Sequence, residues 1–162
     1  MRFYSVVLAS AIFLGGCSGS NAFHMFSMDK MHERAIEQLR TSSIVSSMQT
    51  KAIVSTLYLN ALDSEKYKDG EHFLVSLYIE RDNEAQKRRD LNNSGYTLTL
   101  NDTNATVVEK LDDNDARREI FPIKQQWNQY YYIRYDDTGS DRLKLKLQKD
   151  EVGQTELIYQ KL

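Results

Sequence analysis

From Thr50 onward the chain alternates apolar and polar residues with a period of two, a rhythm that excludes an all-helical fold for most of its length. Ile53, Ser55, Leu57 and Leu59 interleave with Val54, Thr56 and Tyr58. Phe73, Val75, Leu77 and Ile79 interleave with Leu74, Ser76 and Tyr78. Tyr96-Thr97-Leu98-Thr99-Leu100 puts apolar side chains on one face and threonines on the other. Asn101-Asp102-Thr103-Asn104 then reads as a hairpin turn, because these residue types tolerate the left-handed backbone of a tight turn. Segments 105–111, 127–135, 143–148 and 155–162 continue the pattern. Ten tyrosines and a single proline suit pleated, half-buried strands. The expectation is a mainly β fold, an antiparallel β-sandwich of immunoglobulin-like or transthyretin-like size over residues 50–162.

Before the strands the period changes. Met28, Met31, Ala35 and Leu39 recur at spacings of three and four, and Lys30, Glu33, Arg34, Glu37 and Arg40 fall on the other side. Ser27 is placed to cap this segment, with Asp29 in the first turn where an anion suits the helix dipole. One amphipathic helix is predicted over 27–48, its second half diluted by serines. The charged segments 80–93 and 112–118 fit either long loops or short helices. Residues 27–162 are expected to form a single globular domain, a length that can bury a core without staples.

The first residues are of another kind. Met1-Arg2 precedes an apolar run of about a dozen residues that ends in Leu14-Gly15-Gly16-Cys17. The run is short of the roughly 20 apolar residues that a spanning helix needs. Leu14-Gly15-Gly16-Cys17 resembles the lipobox of bacterial lipoproteins. The resemblance implies removal of residues 1–16, a diacylglyceryl thioether on Cys17 and acylation of the freed amine. Several acyl chains on one residue would hold the domain to a bilayer stably, where a single chain binds marginally. Residues 17–26 then form a tether. The expected location is the bacterial cell envelope, the outer membrane being favoured because Ser18, not aspartate, follows the cysteine; the domain would face the periplasm or the cell surface. A net charge of −2 provides no basic footprint for nucleic acid.

Chemistry-bearing motifs are few. Asp137-Thr138-Gly139-Ser140 resembles the active-site motif of aspartic proteases, but Tyr135 and Asp136 stand where that family has apolar residues. It is read as a turn. His24, Met25, Met28, Met31 and His32 combine thioether and imidazole ligands that suit Cu(I), while the same methionines could simply fill an apolar helix face. Asp112-Asp113-Asn114-Asp115 lacks the glycine and terminal glutamate of an EF-hand. Asn92-Asn93-Ser94 and Asn104-Ala105-Thr106 match the N-glycan acceptor pattern. Each also carries an aspartate two residues upstream (Asp90 and Asp102), as in the acceptor used by some ε-proteobacteria.

Within 127–135, Trp127, Tyr131, Ile133 and Tyr135 share one parity and can fill the core. Tyr130, Tyr132 and Arg134 share the other. Exposed, they would make a contact face for a protein or glycan; covered, they would pack beneath the N-terminal helix. With no nucleophile–base constellation, phosphate loop or metalloprotease motif, the expectation is a non-enzymatic envelope lipoprotein without a cofactor, docking a protein partner. A ligand-binding lipoprotein, with Cu(I) on the 24–32 segment, is the alternative.

Overall fold

The computed structural model describes residues 30–80 and 90–161. Helix α1 (Lys30–Gln38) leads into β1 (Arg40–Ser46) and β2 (Gln49–Tyr58). A single helical turn, α2 (Leu59–Leu62), precedes β3 (Glu71–Ile79). Then come β4 (Thr97–Leu100), β5 (Thr103–Asn104) and β6 (Val107–Lys110), a 3-10 helix (Ala116–Ile120), and the long strands β7 (Gln129–Tyr135), β8 (Arg142–Lys149) and β9 (Gly153–Gln160). One sheet has the order β1-β2-β3-β7-β6 and the other β5-β4-β8-β9, every neighbouring pair antiparallel. The sandwich expectation holds. Among the described residues, no helix is long and apolar enough to cross a membrane.

Alternation explains the main core. Val54, Phe73, Val75, Leu77, Tyr131, Ile133 and Tyr135 point inward from the five-stranded sheet. They meet Leu98, Leu100, Leu143, Leu145, Leu147, Leu157 and Tyr159 from the other. Polar groups that enter this layer are paired, as burial requires: Tyr159 Oη lies 2.6 Å from Thr56 Oγ1, and Tyr135 Oη donates to the Leu98 carbonyl at 3.0 Å. Gly70 permits the approach of β7 to the start of β3. It has φ +103°, and a Cβ there would lie 2.2 Å from the Tyr135 carbonyl oxygen.

A second core lies on the outer face of the five-stranded sheet. Ala35 of α1, Leu59 and Leu62 of α2, and Leu111 and Phe121 cover Leu57, Leu74 and Tyr130. The domain therefore has three layers, two sheets and a cover built from α1, α2 and the 111–121 stretch.

Two expectations need correction. The predicted helix over 27–48 stops at Gln38, and Arg40–Ser46 is a strand. Arg40 caps the helix end by donating to the Glu37 and Leu39 carbonyls at 2.7 and 3.0 Å. The serines that dilute the helical pattern are the polar positions of a sheet edge, alternating with buried Ile44. Ser47 and Met48 then form a two-residue turn with φ of 51° and 60°, the conformation that suits a twisted hairpin but that neither residue type favours. The other correction is Trp127. It is exposed and precedes β7, because the strand begins only at Gln129. The hairpin turn expected over 101–104 is shorter: Asn101 and Asp102 turn with φ of 47° and 64°, Thr103–Asn104 is already β5, and β6 beyond it pairs with β7 in the other sheet. Of the two charged segments, 112–118 carries the start of the 3-10 helix.

Candidate functional site

The outer cover leaves a groove of about 400 Å3 open between β2, β3 and the connection that leads into β7. Its floor is Ile53 and Ser55 of β2 with Ser76 and Tyr78 of β3; Leu39 closes one end, and Ile123 and Trp127 form the wall. Ile123 is 65% exposed and Trp127 58% exposed. Further polar groups around the groove come from Thr41, Gln125 and Asn128.

The wall is held at three points. Phe121 is buried against Tyr130, ring centroids 5.4 Å apart at 66°. Tyr130 Oη accepts from the Gln125 N–H at 2.8 Å and donates to the Gln125 carbonyl at 3.3 Å. Asn128 Nδ2 donates to Ser76 Oγ at 2.8 Å, tying the end of the wall to the floor. These ties present Ile123 and Trp127 on a fixed frame, the arrangement in which large side chains act as binding anchors.

The three strand residues singled out as a contact face are placed differently from one another. Tyr130 is 1% exposed, so it contributes no contact surface itself and acts through the wall it pins. Tyr132 is half-buried, its hydroxyl 2.6 Å from His72 Nδ1. Arg134 is half-buried between the strand neighbours His72 and Val107. The 3-10 helix lays two cations over this face. The Arg117 guanidinium sits 5.3 Å from the Tyr132 ring centroid and that of Arg118 4.4 Å from Tyr130.

The neighbouring carboxylates have a structural task there. Glu109 and Asp115 both grip Arg117, at 2.6 Å each, and Asp113 pairs with Arg118. The hydrogen bond from Arg117 holds the Asp115 carboxyl down at about 2. Asp115 also caps the 3-10 helix, accepting from the Arg117 N–H at 2.9 Å. Asp113 and Asp115 of the acidic run are thus engaged by two arginines.

Other expected sites are distributed over the molecule. Cys17, His24, Met25 and Met28 lie outside the described residues. Met31 is partly exposed on α1, and His32 Nε2 lies 2.9 Å from the Glu119 carbonyl oxygen, joining α1 to the 3-10 helix. Asn92 and Asn104 are both exposed. Asp137-Thr138-Gly139-Ser140 is the connection from β7 to β8, where Asp137 Oδ1 accepts from the Gly139 N–H at 2.9 Å. Asp137 also pairs with Lys161, which holds its carboxyl at about 2.

Sequence reasoning missed two polar clusters. Glu71 is buried where β3 starts; Tyr58 Oη donates to its Oε2 at 2.6 Å and Lys161 Nζ stands 2.5 Å from its Oε1. Burial and the Glu71 carboxylate together push the Tyr58 hydroxyl well above its ordinary range. His72, next in sequence, is buried under Tyr67 and Tyr132. Burial, reinforced by Arg134, lowers its pKa. Neither cluster had a sequence signal, since Tyr58, Glu71 and Lys161 are far apart in the chain. No protein-family model matches the chain, nor does any curated protein or solved structure.

Proposed function

We propose that this chain is a lipid-anchored lipoprotein of the bacterial cell envelope that docks a protein partner and catalyses no reaction. The docking surface is the groove walled by Ile123 and Trp127. One observation carries this reading: among the described residues, where most other large rings are buried, a tryptophan and an isoleucine stand prominent on an apolar groove edged by polar groups. Aromatic anchors ringed by polar groups are the usual composition of a small binding hot spot. The occupant is a peptide segment presenting a large apolar side chain to Ile53 and Tyr78, with backbone groups that bond Ser55, Ser76 and Gln125. Attachment through Cys17 follows from the Leu14-Gly15-Gly16-Cys17 motif.

A photoreactive residue installed at Ile123 in the full chain, in its native cells, tests the surface. The expected outcome is one discrete protein adduct, absent when the same group replaces Ile158 on the outer face of the other sheet. Adducts formed equally from both positions would remove the groove from consideration. An adduct with the mass of a lipid or small metabolite would favour the ligand-binding alternative, since a groove of this volume falls in the small-molecule range. Radiolabelled palmitate should enter the parent and not Cys17→Ala.

A further inference from the structure

The two acceptor-like motifs are equivalent in sequence, Asp90-Leu91-Asn92-Asn93-Ser94 and Asp102-Thr103-Asn104-Ala105-Thr106. Their structures are opposite. A transferase that recognises an acidic side chain two residues before the asparagine and a hydroxyl two residues after it needs all three reachable together. In a folded domain this requires all three side chains to be exposed.

Residues 90–94 are folded into a compact turn. The Asn93 N–H donates to the Asp90 carbonyl at 2.9 Å, and the Asn92 N–H to Asp90 Oδ1 at 3.2 Å. The Asp90 carboxylate also accepts from Tyr131 Oη at 3.2 Å and pairs with Lys110 at 3.3 Å. Ser94 is 5% exposed; its Oγ donates to the Leu91 carbonyl at 3.4 Å and accepts from the Tyr96 N–H at 3.3 Å. Both flanking determinants are used inside the fold.

Residues 102–104 lie at the rim of the other sheet, and the chain then crosses to β7, where the Thr106 N–H donates to the Arg134 carbonyl at 2.8 Å. Asn104 is on β5, an edge strand of two residues paired only with β4, opposite Thr99. Asp102 is 63% exposed by its side chain and pairs there with Lys146 and, at 4.0 Å, with Lys144, both surface contacts that an incoming site can replace. Asn104 and Thr106 are exposed, and the one bond of the Thr106 hydroxyl is to the Arg134 carbonyl at 3.1 Å. Among the described residues the Asn104 carboxamide has no hydrogen-bond partner. An incoming site can take the carboxylate, carboxamide and hydroxyl without unfolding the domain.

We propose that Asn104 is an N-glycosylation site of the folded protein and that Asn92 is not. The inference rests on the export implied by the lipoprotein reading, since the glycan donor is a polyprenyl diphosphate-linked oligosaccharide presented at a membrane. In the transfer, the Asn104 amide nitrogen bonds to the anomeric carbon of the sugar, and the bond from that carbon to the diphosphate oxygen breaks. The diphosphate leaves with the electron pair, and the nitrogen gives up one proton. No oxidant or reductant is involved.

The test has two arms. In the first, the purified full chain carrying Cys17→Ala is incubated with a bacterial oligosaccharyltransferase and its polyprenyl diphosphate donor, and glycopeptides are quantified by mass spectrometry. Occupancy at Asn104 at least tenfold above Asn92 is expected, lost in Asn104→Gln and Asp102→Ala and kept in Asn92→Gln. Unfolding the chain in urea and trapping it before transfer should bring Asn92 up to the Asn104 level. Equal occupancy of the two sites in the folded chain, or an unmodified Asn104, overturns the proposal. In the second arm, protein from native cells is digested and both the Cys17 and Asn104 peptides are weighed. A lipidated Cys17 with unglycosylated Asn104 also overturns it. An unlipidated Cys17 overturns the lipoprotein reading instead, and the first arm decides Asn104 independently.

Discussion

The Tyr130 hydroxyl bonds both backbone polar groups of one residue, accepting from the N–H of Gln125 and donating to its carbonyl oxygen, so that a buried strand residue fixes the wall of an exposed groove. With Phe121 set edge-on to its ring and Arg118 over its face, Tyr130 is the point where the sheet, the 3-10 helix and the 121–128 connection meet. Its part in the proposed docking surface is therefore one of position.

Tyr130→Phe tests that role. Loss of the two bonds should cost about 1–2 kcal/mol of stability, since the Gln125 amide is left to water at best. Hydrogen exchange of that amide should speed up on the order of tenfold, while amides in β8 and β9 keep their protection. Unchanged exchange at Gln125 would mean that the wall is held by its other contacts.

The buried Glu71 pair makes a prediction of larger size. In Lys161→Met the carboxylate keeps Tyr58 but loses its cation, and unfolding free energy should fall by about 3 kcal/mol. Glu71→Gln combined with Lys161→Met should recover most of the loss, because the orphaned charge is gone. Additive losses in the double variant, measured by urea unfolding, would contradict this account.

The Ser47-Met48 turn is a place where the natural sequence is not the most stable one. Both residues have positive φ and Met48 is fully exposed. Asparagine and glycine are the residues such a turn favours, so Ser47→Asn with Met48→Gly should stabilise the domain by about 1 kcal/mol. Thermal unfolding should move up by roughly 3 °C. A lower midpoint would show that Met48 contributes something the free backbone geometry does not reveal.

His72 gives stability a definite pH dependence. Burial, with Arg134 opposite, lowers its pKa in the folded state, whereas in the unfolded chain the ring titrates near 6.5. Above that pH both states hold a neutral ring and its environment contributes in full. As pH falls below about 6.5 the unfolded chain binds a proton that the folded one refuses, so stability declines toward the lowered folded value. The carboxylates Asp115 and Asp137 add their own loss only below about pH 4, because the stabilisation from their depressed values is complete above the unfolded carboxylate range and is lost as pH falls toward about 2. His72→Gln should flatten urea unfolding measured from pH 7.5 to 5; an unaltered slope would assign the dependence to another group.

Much of this architecture was legible in the chain itself. Period-two alternation from Thr50 marked the long strands and sorted their residues by face: Tyr131, Ile133 and Tyr135 do share the core side, and Tyr130, Tyr132 and Arg134 the other. Asn101-Asp102 announced its hairpin because its residue types match its backbone. Ser47-Met48 carries no such mark, and for that reason the strand before it read as the continuation of a helix. What tertiary structure alone decided is what covers each face. Alternation states which side chains point together, a local consequence of the pleat, but burial depends on segments distant in sequence. Phe121 and the arginines of the 3-10 helix settle on Tyr130 and Tyr132, while Trp127, expected in the core, stands at the groove. Two motifs of identical pattern around Asn92 and Asn104 were separated in the same way, one bent into a turn over buried Ser94 and the other with Asp102, Asn104 and Thr106 all exposed.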